Sequence, residues 1–377
     1  MLAAMAAPVL FAPLDSAARD EISIVGAGPA GLACAIVLAR AGRRVVVHEH
    51  QNRVGARFHG DFQGLDNWTG DCDVLDELRA HGIESNFGYH PVRGGIAFDA
   101  WGRSYPYTSS APIYYLVKRG SDPDTLDCGL LRQAIHAGAD VRFGHRHSAN
   151  NVRVISCGPR AADVIAVGYL FQTDLADGAW ICFNRELAPL GYSYLLIHRG
   201  YGTVASCIFE DFKREHLFLE RTVDFFRKTV GLRMEAPRKF GGYGNYDLPK
   251  TGVEHGSLLL GERAGFQDPL AGFGIRYAIR SGILAAQSLL EGTNYNSLWR
   301  HELMQLLRTG LANRFFVNLT GDHGWRWILA HRLATDDVCH TMRKLYRPTM
   351  LTRTLYPLAL LLHRFAKGRT RDLLTRG

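Results

Sequence analysis

The chain contains no C-x-x-C pair, and its seven cysteines (Cys34, Cys72, Cys128, Cys157, Cys182, Cys207 and Cys339) are an odd number. That argues against a disulfide framework and for a reducing, cytoplasmic setting, with each thiol expected as a small buried apolar group. No Lys or Arg precedes Arg19, and Pro8 and Pro13 break the apolar opening MLAAMAAPVLFAPLDSAARD. A secretory signal needs a positive start and a membrane span needs about 20 apolar residues, so a loose N-terminal extension is expected instead. Metal-ligand clusters are missing as well. His48/His50 and His145/His147 are H-x-H pairs without a nearby Cys or a third ligand, which reads as solvated histidines and no metal. No nucleic-acid reading motif accompanies the basic residues, and no internal repeat or low-complexity tract is present.

What is present suits a folded chain with two or three domains: 377 residues, 47% hydrophobic and 21% charged. Its organising stretch is EISIVGAGPAGLACAIVLARAGRRVVVHE, residues 21–49. Ile22, Ile24 and Val25 read as a buried strand, and Gly26, Gly28 and Gly31 form G-x-G-x-x-G. A helix follows with Ala35 and Leu38 on its inner face; Gly42 ends it, and Val45 and Val47 make a second strand. Each part suits a dinucleotide. Gly26 permits the tight turn, Gly28 lets the backbone approach a pyrophosphate, and Gly31 lets helix and strand pack closely. Pro29 and Ala30 stand at the helix N-terminus, where unpaired N–H groups and a partial positive charge favour phosphate. Glu49 can accept a hydrogen bond from a ribose hydroxyl, and His50 follows it.

The loop HQNRVGARFHGDFQGLDNWTGD then folds back towards the ligand in this reading, with Arg57 near a phosphate and His59 near a bound ring. Asp71 or Asp73 is expected to cap a short helix that Gly82 ends. Ile96, Phe98, Tyr105 and Tyr107 alternate as a hairpin about Trp101-Gly102-Arg103. A helix over Leu126 to Ile135 stops at Gly138, and strands follow at Val141 and at Val152 to Cys157. Antiparallel strands are expected at Trp180–Phe183, Tyr192–Ile197 and Thr203–Phe209, then a helix from Arg214 to Val230. In Tyr192–Ile197 this reading places only one of Tyr192 and Tyr194 on the pocket side.

A second glycine-bearing stretch runs from Ser257 to Gly292. Leu258 to Leu260 form a strand ending at Gly261-Glu262, a loop passes Asp268-Pro269 to Gly272 and Gly274, and a helix starts at Ile275. Its N-terminus suits the electron-rich edge of a flavin, and Glu262 suits ribityl hydroxyls. The two stretches together resemble the FAD-dependent geranylgeranyl reductase family, within the wider group of flavin hydroxylases and halogenases. The resemblance covers about residues 22–292. It implies an α/β fold with a Rossmann-type FAD-binding domain (22–91, 119–165 and 249–294). An inserted antiparallel substrate domain (92–118 and 166–248) completes it, and the charge pattern adds a basic helical C-terminal region (295–377). It implies FAD held by Gly26, Gly28, Gly31 and Glu49 at one end, and by Glu262, Asp268, Pro269, Gly272, Gly274 and Ile275 at the other. Arg119 resembles the arginine that this family places near the FAD phosphates.

This sequence also departs from the family. The hydroxylase D-G motif should fall near Ser156-Cys157-Gly158-Pro159, where no Asp stands. The reductases' G-Y-x-W-x-F-P stretch is represented by Gly191 to Ile197 without its Trp and Pro, and their cysteine-glycine loop only by Arg57 to Gly60. The halogenase W-x-W-x-I-P motif is absent; Trp325-Arg326-Trp327-Ile328 lies elsewhere and is spaced differently, which argues against halogenation. Two reactions stay open: reduction of a carbon–carbon double bond in an isoprenoid or other apolar substrate, and oxygen-dependent hydroxylation. A role as a maturation partner for another protein stays open beside them. Tyr194 and His59 are the candidate acids. With no second G-x-G-x-x-G, electrons come from transiently bound NAD(P)H or from a protein donor. Residues 295–377 carry 14 Lys/Arg against 5 Asp/Glu, and Leu355 to Leu362 is an apolar run within them. Two outcomes are open for that run: packing on the core, or peripheral contact with an anionic membrane surface that would bring the enzyme to a lipid-like substrate.

Overall fold

Alternation makes the opening strand: in β1 (Glu21–Val25) Ile22 and Ile24 are buried and their neighbours half-buried. α1 (Pro29–Arg40) has Pro29 in its first turn, where a missing N–H costs nothing, and Gly42 turns the chain at φ +76°. β2 (Arg44–His48) then pairs parallel to β1, with Ile24 opposite Val47. The computed structural model describes residues 21–147, 152–334 and 337–374, with the side chains of the last helix as far as Phe365. The N-terminal extension expected over residues 1–20 lies outside the described residues.

The following segment gives β3 (Phe62–Asp66), α2 (Val74–Ala80) and β4 (Tyr89–Val92). Of the two acids considered for α2, Asp73 caps it, accepting from Leu75 N–H at 2.9 Å. β5 (Gly94–Phe98) and β6 (Ser104–Thr108) form the expected hairpin. β7 (Tyr114–Lys118) lies between β3 and β4 in a small antiparallel sheet that the sequence reading lacks. The chain returns through α3 (Leu126–His136), β8 (Asp140–Arg142) and β9 (Val154–Ile155). Next come β10 (Val164–Gln172), β11 (Gly178–Cys182), β12 (Tyr192–His198), β13 (Tyr201–Ile208), α4 (Glu215–Val230) and β14 (Glu235–Gly244). β10 and β14 are also absent from the sequence reading, and they build one end of the larger antiparallel sheet. β15 (Val253–Glu254), β16 (Ser257–Leu259) and α5 (Ile275–Glu291) close the first layer.

Six strands in the order β15-β16-β9-β1-β2-β8 make a sheet that is parallel except at β15. Seven strands, β14-β10-β13-β12-β11-β5-β6, make the second sheet, antiparallel except between β11 and β5. Boundaries drawn at 91/92 and 165/166 from the sequence fall inside β4 and β10. α1 and α5 pack against each other so closely that a Cβ on Gly282 would lie 2.2 Å from the Ala30 carbonyl oxygen. Glycine at 282 is therefore a condition of that approach.

The C-terminal helices are α6 (Tyr295–Glu302), α7 (Met304–Ile328), α8 (Val338–Leu345) and α9 (Met350–Leu374), with α7 broken at Gly321. They brace both layers. Trp299 is fully buried beside Phe266, and Arg326 pairs with Asp99 at 2.7 Å while lying 3.6 Å over the Trp101 ring. All seven cysteines are free; Cys34, Cys182, Cys207 and Cys339 are buried, whereas Cys72 and Cys157 are exposed. Among the described residues no helix is long and apolar enough to cross a membrane.

Candidate active site

One cavity of about 880 Å³ runs from the glycine turn after β1 to the N-terminus of α5 and on into the antiparallel sheet. At the first end Gly26 adopts φ +103°, and a Cβ there would lie 2.6 Å from Ser156 O. A Cβ on Gly31 would lie 2.1 Å from Gly26 O. Both glycines serve close packing. Gly28 differs, since a Cβ on it would meet nothing within 4 Å and the residue lines the cavity. Open space there is what an approaching pyrophosphate needs. Pro29 and Ala30 line the cavity beside it, and no side chain caps the α1 N-terminus.

Glu49 stands at the end of β2 with one carboxylate oxygen accepting from Ala27 N–H at 2.8 Å and the other from Gln51 N–H at 2.9 Å. It braces the glycine turn while lining the cavity, and the oxygen bonded to Ala27 retains a lone pair for a ribose hydroxyl. His50 pairs with it at 3.0 Å. His48, expected in solvent, is buried, its ring 4.2 Å from that of His147. Burial holds its pKa below the usual histidine value, with the neighbouring His147 adding to the effect.

At the second end Glu262, Gly272, Gly274 and Ile275 line the cavity, and the α5 N-terminus there also has no side-chain cap. Asp268 and Pro269 do not line it, which corrects their expected contact with the cofactor. The Asp268 carboxylate points back into its own turn, accepting from Leu270 N–H at 3.0 Å, Ala271 N–H at 2.8 Å and Tyr346 O–H at 2.7 Å. It shapes the loop that presents Gly272 and Gly274. Burial pushes its pKa up to about 6.

Arg57 reaches across the cavity, donating to Glu262 at 3.2 Å and to Tyr243 O at 2.7 Å. Burial raises the Glu262 carboxyl, and the Arg57 guanidinium partly offsets that. Arg119 lines the cavity, but its guanidinium is held by Asp127 through two bonds of 2.8 and 2.9 Å, donates to Gln63 at 3.1 Å and stacks 3.9 Å from the Phe58 ring. Asp127, Gln63 and Asp61 are cavity residues that the sequence reading lacks. Asp61 accepts from Gln63 at 2.7 Å and from His59 N–H at 3.1 Å. Nothing in the pattern of the loop sets Asp61 apart from Asp66, Asp71 or Asp73.

Beyond these polar groups Tyr107, Tyr114, Ile181, Leu196 and Phe240 line an apolar chamber. Tyr192 and Tyr194 both line it, their rings 6.1 Å apart. The expectation of opposite faces fails because residues two apart on a strand share one face. Tyr192 donates to Ala271 O at 2.6 Å, tying the chamber to the cofactor loop. Burial raises the Tyr194 phenol far above its usual pKa, so it stays protonated. His59 is exposed at the cavity. Ser156 to Pro159 occupy the place anticipated for D-G, with Ser156 O–H donating to Gly26 O at 2.8 Å. Trp325 stacks on Phe183 with ring centroids 3.9 Å apart, away from the cavity lining.

Two uncapped helix N-termini on one cavity, with a carboxylate at each, fit the two halves of FAD. Comparison with known proteins agrees. Residues 24–76 match the NAD(P)-binding Rossmann-like domain. A menaquinone reductase of Mycolicibacterium smegmatis is 27% identical over 361 residues, spanning 80% of this chain and 85% of that protein. A geranylgeranyl bacteriochlorophyll reductase-like protein from Thermoplasma acidophilum superposes with a TM-score of 0.68 at 17% identity, over 90% of this chain and 98% of that one. The p-nitrophenol 4-monooxygenase of Pseudomonas putida gives 0.59 at 13% identity, over 87% and 97%. The chain therefore has the fold shared by geranylgeranyl reductase-like proteins and flavin monooxygenases.

Proposed function

We propose that the protein is an FAD-dependent oxidoreductase that reduces a carbon–carbon double bond in an isoprenoid or similarly apolar substrate. The observation that carries this reading is the continuity of the cavity, from dinucleotide-binding backbone to a chamber walled by aromatic and aliphatic side chains. Likeness to a menaquinone reductase supports it, since menaquinone is a polyprenyl quinone. Gly26 to Gly31, Glu49, Glu262 and Gly272 to Ile275 hold the cofactor in this reading. FAD bound there supplies hydride-transfer chemistry.

The chain's own residues do the rest. Tyr107, Tyr114, Leu196 and Phe240 exclude water and receive the apolar chain of the substrate. Tyr194 keeps its proton and can donate a hydrogen bond into the chamber, and Asp61 and His59 line the loop side of the cavity. The reductant binds transiently, as NAD(P)H or a protein donor. An anaerobic single-turnover assay with polyprenyl substrates tests the reading, with a product two hydrogens heavier as the expected result. No product without oxygen, and oxygen incorporated into the product once air is admitted, would overturn it and make the protein a monooxygenase.

A further inference from the structure

The last helix carries more surface than the core uses. α9 has one face packed inward: Thr352 and Ala359 are buried, Tyr356 and Leu360 pack against the main core, and His363 stacks on Tyr246 with centroids 5.1 Å apart. At about 100° per residue these positions share one side. Leu351, Leu355, Leu358, Leu362 and Phe365 follow at spacings of four, three, four and three, which places them on a second stripe. Of these, Leu351, Leu358, Leu362 and Phe365 are 47–63% exposed, and Met350 and Leu361 beside them are exposed as well. Isolated exposed leucines need no explanation, whereas a contiguous stripe marks an interaction surface.

Charge decides what fits it. Between residues 338 and 371 the chain has eight Lys or Arg and no Asp or Glu. Arg353 and Arg364 are exposed and fall together on the third side of α9. A second copy of this helix would bring eight further positive charges to the same region and no acidic residue to meet them. The first twenty residues carry only Asp15 and Asp20 against Arg19, too little to match eight positive charges. An anionic lipid surface matches both features, because acyl chains accept the apolar stripe and headgroups pair with the arginines.

We propose that α9 lies in the headgroup region of an anionic membrane, with Leu351, Leu358, Leu362 and Phe365 inserted and Arg353 and Arg364 at the phosphates. The inference rests on the exposure and charge of one helix and not on the substrate assigned above. Its test reads binding alone, so the two can fail separately.

The full chain is sedimented with vesicles of phosphatidylcholine and with vesicles of phosphatidylcholine and phosphatidylglycerol, at low and raised salt. Binding to the anionic vesicles only, weakened by salt, is expected. Arg353→Glu with Arg364→Glu, and Leu358→Glu with Phe365→Glu, should each lower the partition coefficient roughly tenfold or more. These side chains are already exposed, so circular dichroism should match the parent. If the Glu pair does not fold, Leu358→Ser with Phe365→Ser takes its place with the same expected loss. Equal binding to both vesicle types, or unchanged binding by both variants, overturns the proposal. A leucine variant that changes the mass in solution from dimer to monomer while leaving vesicle binding intact also overturns it, in favour of a second copy. Loss of vesicle binding on deleting residues 1–20 alone would do so as well.

Discussion

Replacing Tyr346 with Phe should destabilise the protein more at alkaline than at acid pH. The phenol donates to the Asp268 carboxylate at 2.7 Å, and Asp268 is fully buried. Burial raises that carboxyl to about 6 from an ordinary value of 3.8. The folded state therefore holds its proton more tightly than the unfolded chain does. Stability is greatest below the unfolded pKa and falls as pH rises through the folded one, by about 3 kcal/mol between roughly pH 4 and pH 6. Above that window the Tyr346 hydrogen bond goes to a charged oxygen and contributes about 1.5–3 kcal/mol. Near pH 5 it goes to a mostly neutral acid and contributes about 0.5–1.5 kcal/mol. Urea titrations of parent and Tyr346→Phe at about pH 5 and pH 8, with cofactor loading held constant, measure the difference. A loss of stability equal at both pH values, or larger at pH 5, would refute the assignment of Asp268 as a buried, raised acid that Tyr346 stabilises when charged.

Other outcomes follow from the same geometry. Gly28→Leu should leave the melting temperature of the apoprotein nearly unchanged and abolish FAD binding in a spectral titration, because its side chain enters open cavity. Gly31→Ala should instead lower stability by about 2 kcal/mol or more, since its methyl would meet the Gly26 carbonyl oxygen at 2.1 Å. Glu262→Gln should weaken FAD by roughly tenfold, read by fluorescence quenching, with the fold intact. If Tyr194 supplies the proton, Tyr194→Phe lowers kcat on the order of 100-fold with little change in cofactor affinity; unchanged turnover would assign the proton to another group.

Both helix N-termini on the cavity were legible in the sequence because their constraints are local. A tight turn, an uncapped helix start and a terminal carboxylate each leave a mark within a few residues, and Gly26, Gly28, Glu49 and Gly274 stand where their spacing put them. The part of the chamber wall built by β10 and β14 was not legible. β10 and β14 contain residues such as Gly168, Gly241 and Gly242 that interrupt the alternation expected of strands, and their pairing partners lie far away in sequence. Asp268 was legible as a motif position and misread as a contact, because a motif records that a carboxylate is required and not which way it points. The Tyr192 and Tyr194 error was one of geometry rather than of missing information.

The order of strands in the first sheet has a consequence for synthesis. β1 sits between β2 and β9, and β16 joins on the far side of β9 only after more than 90 intervening residues have built the antiparallel sheet. The cofactor's second anchor, at α5, emerges later still. At about 5–20 residues per second the first glycine turn waits on the order of tens of seconds for its partner. During that interval the free edge of β9 and the side of α1 that meets α5 have no cover. The nascent chain is thus exposed to misassociation and chaperone capture well before it can hold a flavin, and a shortage of FAD would act only on chains nearly complete.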